Sequence, residues 1–399
     1  MKKVLALLLA MVLFAGMAVS CGAPAESETP ASEAPAESGA PAESGDTPAT
    51  SADTEGKKIG VIFYSKDDSL GAAVYSTLNY AAEALGIELL WDLGDLDPTA
   101  QITAAENMVS AGCDGILCIP MTDTVTQKIA ILCQENEVYY MNCFRTITDD
   151  AIREEVEGYD YFLGYCFEDE VVAGQTVVEL MAEAGKKKAA IHYMYPGSAL
   201  TLRNTGFDQG LEETGIEKLA ENTLPTSGNV ADVQSITENF INVYKDSGLD
   251  VIIAASSAAG TGEAMVNSIR TLAPNGQVQL ATFDVFDGMD AAFQDGTLAC
   301  AVAGMSPDAL FSFMVLYNAV IGTPLTDEQV ELSQNYIYIT SPEDSEAYEK
   351  YIDNPDFMIY TAEDIQAMSR ANNPDFDIEA LRQIMADYTM ENIIEKIEG

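Results

Sequence analysis

Residues 58–91 read KIGVIFYSKDDSLGAAVYSTLNYAAEALGIELLW, and this stretch indicates how most of the chain folds. Its first seven residues, 58–64, form a short and nearly continuous apolar run, which is typical of a strand buried on both faces. Residues 70–85 repeat apolar side chains with helical spacing and end at a glycine, and residues 87–91 are apolar again. This order of strand, helix and strand predicts a parallel βαβ unit.

The same alternation continues along the chain and begins afresh near residue 161. Because parallel strands need helical connections that cover both faces of the sheet, we predict an α/β fold with two doubly wound parallel-sheet lobes joined by a hinge. The predicted N-terminal lobe comprises residues 57–165 and about 305–335, and the C-terminal lobe comprises residues 166–304 and about 336–399. The further predicted strands are 115–119, 138–143, 161–166, 188–192, 250–255, 278–283 and 298–302.

The last 60 residues form an additional helical tail. Residues 342–351, 361–370 and 377–397 have helical patterns, with a break at an Asn-Asn-Pro sequence. We expect these helices either to pack over the hinge or beside the cleft, or to form a docking surface for a partner.

The N-terminus carries the pattern of an exported protein. Two lysines precede the apolar run 4–20, which reads as a secretory signal peptide over residues 1–20. Residues 22–56 repeat Ala-Pro-Ala-Glu-Ser and contain no aromatic residue, Val, Leu or Ile, so we expect a disordered tether. Residues 18–21 read AVSC and resemble the lipobox of bacterial lipoproteins, which implies lipidation of Cys21 and anchoring to the outer side of the bacterial cell membrane. An ordinary secreted protein with a cysteine at the cleavage site is the alternative.

The net charge excludes nucleic acid as a partner. The chain has 64 acidic and 19 basic residues, which gives a formal net charge of −45 at pH 7. A surface this negative repels phosphate backbones and anionic lipid headgroups. Beyond the signal segment, no apolar run is long enough to cross a bilayer.

Residues suited to catalysis are scarce. The single histidine, His192, lies in an apolar strand, where we expect it to be a core residue. No G-x-S-x-G, H-E-x-x-H or P-loop sequence occurs. The six cysteines after Cys21 lack C-x-x-C spacing and lie in or beside apolar runs, which favours buried thiols, with disulfides as the alternative in an exported protein. We therefore predict that the protein is not an enzyme and has no cofactor or metal.

Four short segments occur in the order found in a known family. Residues 111–120 read AGCDGILCIP, residues 202–207 read LRNTGF, residues 282–284 read TFD and residues 298–302 read LACAV. They resemble the corresponding segments of the type I periplasmic sugar-binding proteins of ABC transporters, which include ribose-binding protein. The resemblance extends over residues 57–339 and implies a ligand cleft between the two lobes.

The resemblance also implies which residues contact a ligand. The arginine that the family places after the fourth strand corresponds to Arg145, its second-lobe arginine to Arg203, and its late aspartate to Asp284. An arginine offers a planar fork of donors to hydroxyl groups, and a carboxylate accepts hydrogen bonds from them. The alternative interpretation is that both arginines are surface or hinge ion-pair residues. Asp284 could likewise be the N-cap of a helix over residues 286–294, either instead of or in addition to accepting from a ligand.

Other matched positions depart from the family and leave the ligand open. The paired aromatics after the first strand are absent, and we expect Tyr64 and Phe144 to supply a stacking face instead. Ser256 stands where the family has Asn, and Asp68 is a further polar candidate that also suits a helix cap.

The resemblance implies a lipid-anchored solute-binding protein of an ABC importer. Such a protein captures a small polar solute, here a sugar or polyol, and delivers it to permease subunits in the membrane. A receptor of the same fold that signals to a membrane kinase or chemoreceptor is one alternative. A binder of a nucleoside, an amino acid or a signalling furanose is another.

Overall fold

The computed structural model describes residues 54–67, 69–93, 97–196, 199–225, 228–354 and 357–398. The predicted signal segment, the lipidation site Cys21 and the candidate ligand residue Asp68 lie outside these residues. None of the helices in the described ranges combines the length and apolar character that a membrane span requires.

The described residues form two sheets whose strands alternate with helices. The strands are β1 (Lys58–Ile62), β2 (Glu88–Asp92), β3 (Gly115–Cys118), β4 (Tyr139–Asn142), β5 (Phe162–Glu168), β6 (Lys188–Tyr193), β7 (Glu217–Thr223), β8 (Val251–Ala254), β9 (Gln279–Phe283), β10 (Leu298–Ala303), β11 (Val330–Gln334) and β12 (Ile337–Ile339). The α-helices are α1 (Ser69–Leu85), α2 (Pro98–Ser110), α3 (Asp123–Asn136), α4 (Asp150–Val156), α5 (Glu170–Glu183), α6 (Leu202–Thr214), α7 (Val230–Tyr244), α8 (Thr261–Leu272), α9 (Met289–Gln294), α10 (Pro307–Val320), α11 (Pro342–Tyr351), α12 (Ala362–Ala367), α13 (Ile378–Ala386) and α14 (Met390–Glu398).

Each sheet is the centre of one lobe. The first sheet has the strand order β11-β5-β4-β3-β1-β2, and its strands are all parallel. The second has the order β12-β10-β9-β8-β6-β7 and is parallel except for β12, which runs antiparallel to β10. Two helix-covered parallel sheets confirm the predicted α/β fold class.

The chain passes between the sheets at three places, which we call the crossings: residues 168–170, 304–306 and 335–336. The first leads from β5 into α5, the second from β10 into α10, and the third from β11 into β12. Helix α10 returns to the first sheet, where all of its residues are buried. Both lobes are therefore assembled from separate stretches of the chain, and the crossings lie where a hinge between them would be.

The apolar runs of the sequence become the buried strands. Strand β8, with the sequence VIIA, is buried at every position, and β1 is buried at four of five. Asp97 accepts hydrogen bonds from the backbone N–H groups of Thr99 and Ala100, both at 2.8 Å, and Pro98 opens α2. The helix therefore begins with a side-chain cap and a first-turn proline.

Three strands were not predicted. Strand β7 reads EKLAENT and lies at the edge of the second sheet, half-buried or exposed along its length. An edge strand needs few apolar residues because one side of it faces solvent, so no apolar run marks it. Strands β11 and β12 are also at sheet edges, and β12 has only three residues.

The helical tail contacts both lobes, although we expected all of it to belong with the second. Tyr348 in α11 and Ile393 in α14 join the core of the second lobe. Ile365 in α12 and Leu381 in α13 join the core of the first. The difference arises because each tail helix carries its own apolar face, so its helices need not share one partner.

Two glycines bring helices α5 and α6 into backbone contact. A Cβ atom at Gly206 would lie 2.1 Å from the carbonyl oxygen of Val171, and one at Gly174 would lie 2.5 Å from that of Arg203. Only a residue without a side chain permits so close an approach. The contact places the first turns of the two helices, and with them Glu170 and Arg203, side by side.

Candidate functional site

Three aromatic side chains gather at the carboxyl ends of strands β1 and β4. The rings of Phe63 and Tyr64 stack with centroids 4.8 Å apart, and Phe144 meets Phe63 edge-on at 5.9 Å. Tyr64 is half-buried, whereas Phe63 and Phe144 are buried. The carboxyl ends of parallel strands are where open α/β sheets bind ligands, so this aromatic group lies in the expected place.

The backbone of Phe144 has a strained conformation that the fold holds in place. Its φ of 59° lies in the left-handed region, which is unusual for a residue with a bulky side chain. The backbone N–H of Phe144 donates to Oδ1 of Asp308, at 2.9 Å, and Asp308 lies in the first turn of α10. A buried carboxyl beyond the second crossing therefore helps to fix the turn that orients Phe144 and Arg145.

Arg145 lies next to Phe144 and is half-buried. Its Nη1 atom donates to the carbonyl oxygen of Phe144 at 2.6 Å. Burial raises the pKa values of the Glu168 and Asp308 carboxyls, and the positive charge of Arg145 opposes that rise. Arg145 thus lies beside Phe144, and its charge acts on two carboxyls at or next to the crossings.

Two buried carboxyls lie at or next to the crossings: Glu168 in the first, and Asp308 just after the second. Burial raises the pKa of Asp308 to about 7. Burial, together with the negative charges of Asp308 and Glu170, raises the pKa of Glu168 well above its ordinary value. Among the described residues, no donor reaches Oε1 of Glu168 or Oδ2 of Asp308. Because an unpaired buried carboxylate is costly, we expect the pair to retain a proton near neutral pH.

In the second lobe, Ser256 and Asp284 come together at the ends of β8 and β9. The hydroxyl of Ser256 donates to Oδ2 of Asp284 at 2.6 Å, and both residues are half-buried. Asp284 has a φ of 70°, and its backbone N–H donates to the carbonyl oxygen of Val302 at 2.9 Å. The carboxylate is therefore held at a fixed position beyond the sheet while part of it faces outward.

The alternative role of Asp284 as a helix cap is wrong. Helix α9 begins at Met289, and its N-cap is Gly288, whose φ is 81°. Asp284 lies four residues before that cap, and its side chain bonds Ser256 instead.

Arg203 is buried, with 2% of its surface exposed, and most of its donors are occupied. Nε and Nη2 donate to the two oxygens of Glu170, at 2.6 and 3.0 Å. Nη1 donates to the carbonyl oxygen of Ala255 at 2.8 Å, and Nη2 also donates to the hydroxyl of Tyr336 at 2.9 Å. The guanidinium lies 4.0 Å from the ring centre of Phe283. Through these hydrogen bonds, Arg203 links Glu170 in the first crossing and Tyr336 in the third crossing to the end of β8.

Charge pairing maintains the protonated form of Arg203. Burial lowers its pKa, but the Glu170 carboxylate, with Tyr336 and Asp284, outweighs this and raises the pKa above the ordinary value. A two-point ion pair with a carboxylate is the geometry that arginine forms most strongly. The arrangement is that of an ion-pair residue, which the sequence had left open for Arg203.

The candidate residues therefore form two groups. Tyr64, Phe144 and Arg145 lie at the strand ends of the first lobe. Ser256 and Asp284 lie at the strand ends of the second lobe. Arg203 is buried in the second lobe and bonds the carbonyl oxygen of Ala255, next to Ser256. Sequence reasoning missed the residues that hold these groups: Glu168, Glu170, Asp308 and Tyr336. No sequence pattern singles out three particular carboxyls among 64 acidic residues.

A cavity of about 470 Å³ lies at the ends of β6 and β7 in the second lobe. None of the candidate residues lines it. Its walls are formed by Tyr193, Met194, Pro196, Thr201, Asn204, Asp208 and Thr223.

Comparison with known structures identifies the same architecture in bacterial solute-binding proteins. An ABC transporter solute-binding protein of Bacillus halodurans C-125 with bound myo-inositol is 21% identical, with a TM-score of 0.60 over 75% of this chain and 99% of that one. A periplasmic solute-binding protein of Actinobacillus succinogenes 130z with bound D-allose is 14% identical, with a TM-score of 0.62 over 73% and 100%. A galactofuranose-binding protein is 16% identical, with a TM-score of 0.61 over 75% and 100%. At these identities the likeness establishes the fold.

A comparison with protein families shows that residues 59–323 match the family model of the periplasmic binding protein domain. A sequence comparison with curated proteins gives no match. The match covers both sheets except β11 and β12, and the tail lies outside it. The chain belongs to the periplasmic binding protein family and has the two-lobed fold of its type I members.

Proposed function

We propose that this protein is the lipid-anchored, extracytoplasmic solute-binding protein of an ABC importer, and that it captures a sugar or polyol between its lobes. Family membership supports a binding role without catalysis. Structurally similar proteins bind myo-inositol, D-allose and galactofuranose, all of which are compact polyhydroxylated molecules. The proposed lobes are those predicted from the sequence, with the tail shared between them.

The observation that carries this proposal is that aromatic groups in one lobe and polar groups in the other both lie at the carboxyl ends of the strands. The Asp284 carboxylate, oriented by Ser256, is an acceptor for solute hydroxyls. The half-buried Tyr64 ring, which stacks on Phe63 and through it forms one group with Phe144, offers an apolar face for the carbon skeleton of a sugar ring. Ligand sites commonly combine such an apolar wall with a few fixed polar groups.

We propose different roles for the two arginines. Arg145 is half-buried beside the aromatic group, so its remaining donors are available to solute hydroxyls. Arg203 is engaged by Glu170, Ala255 and Tyr336, so we assign it to holding the wall of the second lobe. Asp68 stays a predicted ligand contact from the sequence alone.

Anchoring and partnership are proposed from the sequence and the family. The AVSC sequence at residues 18–21 supports lipidation of Cys21, and the family supports delivery to membrane permease subunits. In cells, Cys21→Ser should release the protein from the membrane fraction. Retention of the variant in that fraction would contradict lipid anchoring.

A calorimetric screen tests the binding proposal. Pentoses, hexoses in furanose and pyranose forms, and cyclic polyols should include at least one solute that binds one-to-one with a Kd in the micromolar range or tighter. Asp284→Asn should weaken that binding at least tenfold, because the amide loses the charged acceptor. Asp295→Asn is the matched control, since Asp295 precedes β10 and therefore lies at the amino ends of the strands of the same sheet, where it pairs with Arg270 at 2.7 Å. Absence of binding across the panel, or equal losses in both variants, would contradict the proposal.

A further inference from the structure

The tail beyond β12 consists of two halves, each fixed to a different lobe. Helices α12 and α13 belong to the half on the first lobe, and helices α11 and α14 to the half on the second. The family match ends at residue 323, before this segment begins.

Hydrogen bonds fix the first half to the first lobe. The backbone N–H of Ala362 donates to the hydroxyl of Tyr80 at 3.0 Å. The backbone N–H of Arg370 donates to Oδ1 of Asn318 at 2.7 Å, and Nδ2 of Asn318 donates back to the carbonyl oxygen of Met368 at 3.1 Å. Because Asn318 lies in the buried helix α10, these bonds tie the segment to the interior of the lobe.

Buried side chains fix the second half to the second lobe. Tyr348, Tyr351 and Ile393 are buried and belong to the second-lobe core. The hydroxyl of Ser345 in α11 donates to the carboxylate of Asp290 in α9. This half therefore moves with the second sheet.

Among the residues that the structure describes, few hydrogen bonds and ion pairs join the halves to each other. Lys396 of α14 pairs with Asp364 of α12, with Nζ and Oδ2 2.8 Å apart, and lies 4.6 Å from the ring centre of Tyr360. A cavity of about 510 Å³ lies between the halves, with Met368 and Phe376 on one side and Ile393 and Lys396 on the other. The halves are thus joined across a space that relative motion of the lobes would deform.

The tail also holds the second crossing. The hydroxyl of Tyr388, between α13 and α14, donates to the carbonyl oxygen of Gly304 at 2.7 Å. Gly304 has a φ of 84°, and an added Cβ would lie 2.6 Å from Ile337 and 3.2 Å from the Tyr388 hydroxyl. A turn of the chain between the lobes is therefore packed directly against the tail.

We infer that the tail is an interlobe strap, with Tyr388 and the Asp364–Lys396 pair as positioning residues that set how far the two lobes open. This inference rests on the proposed function, in which the lobes move about the crossings. If a contact is stronger in one form than in the other, it changes the free-energy difference between the open and closed forms by the difference in its own strength. The populations of the two forms shift accordingly. One hydrogen bond and one half-exposed ion pair limit the shift to roughly tenfold, or about 1.4 kcal/mol.

Distance measurements between two spin labels test the strap directly. Leu90 on β2 and Val243 on α7 are 37% and 54% exposed and belong to different lobes, so cysteines there report the interlobe distance. The six cysteines within the described residues are buried, and Cys21→Ser removes the seventh. The full chain with Tyr388→Phe and Lys396→Gln should show a distance distribution at least twice as broad as that of the unsubstituted chain, measured without solute.

Lys350→Gln is the matched control. It also removes one lysine from a tail ion pair, but Lys350 and Glu398 both lie in the half fixed to the second lobe, 3.3 Å apart. The control should leave the distribution unchanged. Equal distributions in the strap variant and the unsubstituted chain, at equal helix content by circular dichroism, would overturn the inference. Failure of every sugar to bind would instead contradict the proposed function, since the distance measurement needs no solute.

Discussion

Replacing Glu170 with glutamine tests whether the fold, rather than a solute, holds Arg203. Glu170 accepts two hydrogen bonds from Arg203 and one from the hydroxyl of Tyr336, at 3.1 Å. The glutamine keeps the size of the side chain but removes the charge opposite a guanidinium that is 2% exposed. The substitution therefore isolates the electrostatic part of the contact.

The structure sets the size of the effect. Removing one partner of a buried ion pair costs about 3 to 5 kcal/mol, because the remaining charge is left without compensation. The glutamine carbonyl still accepts one hydrogen bond, so we expect a loss near the lower limit, about 3 kcal/mol in the free energy of unfolding. The Arg270–Asp295 ion pair has a similar nitrogen–oxygen distance, 2.7 Å, but its side chains are 34% and 45% exposed. Asp295→Asn should cost about 0.5 kcal/mol.

Urea unfolding at pH 7, followed by circular dichroism, measures both losses. Adding Arg203→Met to Glu170→Gln should recover part of the stability, since no buried charge then remains unpaired. If Glu170→Gln costs no more than Asp295→Asn, or if the second substitution deepens the loss additively, the reasoning is refuted and Arg203 is free to serve as a solute contact.

Three further predictions concern stability. Burial lowers the pKa of His192 to about 4, so the folded protein favours the neutral form. As the pH falls from 7 to 5, this residue should lower the free energy of unfolding by about 2 kcal/mol. Urea unfolding of His192→Gln should not show that decrease. Burial raises the pKa of Asp308 to about 7, so its contribution to stability falls as the pH rises from about 4 to 7; Asp308→Asn should exceed the unsubstituted chain in stability at pH 8, and a lower stability there would contradict this. Gly206→Ala places a Cβ 2.1 Å from the Val171 carbonyl oxygen and should cost about 2 kcal/mol in thermal unfolding, whereas Thr205→Ala, at an exposed position of the same helix, should change it little.

The sequence predicts the sheets where apolar runs are continuous. Strands such as β1 and β8 are buried on both faces, so their side chains identify them without further context. Strand β7 was not predicted from the sequence because its edge position tolerates polar side chains, so no apolar run marks it. The tail helices were predicted, but their division between the lobes depends on tertiary contacts such as that of Asn318 with Arg370.

The candidate site is less accessible to sequence reasoning. Ser256 and Asp284 follow predicted strands, which is why their position at the carboxyl ends of the sheet strands could be anticipated. The partner of Arg203 lies 33 residues earlier, in a chain with many other carboxyls, and only the close contact of α5 and α6 selects Glu170. Asp284 is not a helix cap because its backbone is left-handed and α9 begins only at Met289, after its N-cap Gly288.

The location of a bound solute tests the central claim most directly. A crystal structure with the tightest-binding sugar or polyol should show it between the lobes, with a hydroxyl bonded to Asp284 and the ring against Phe63, Tyr64 or Phe144. A solute in the cavity beside Tyr193, or in the one between the tail halves, with the strand ends vacant, would contradict the claim that these strand ends form the binding site.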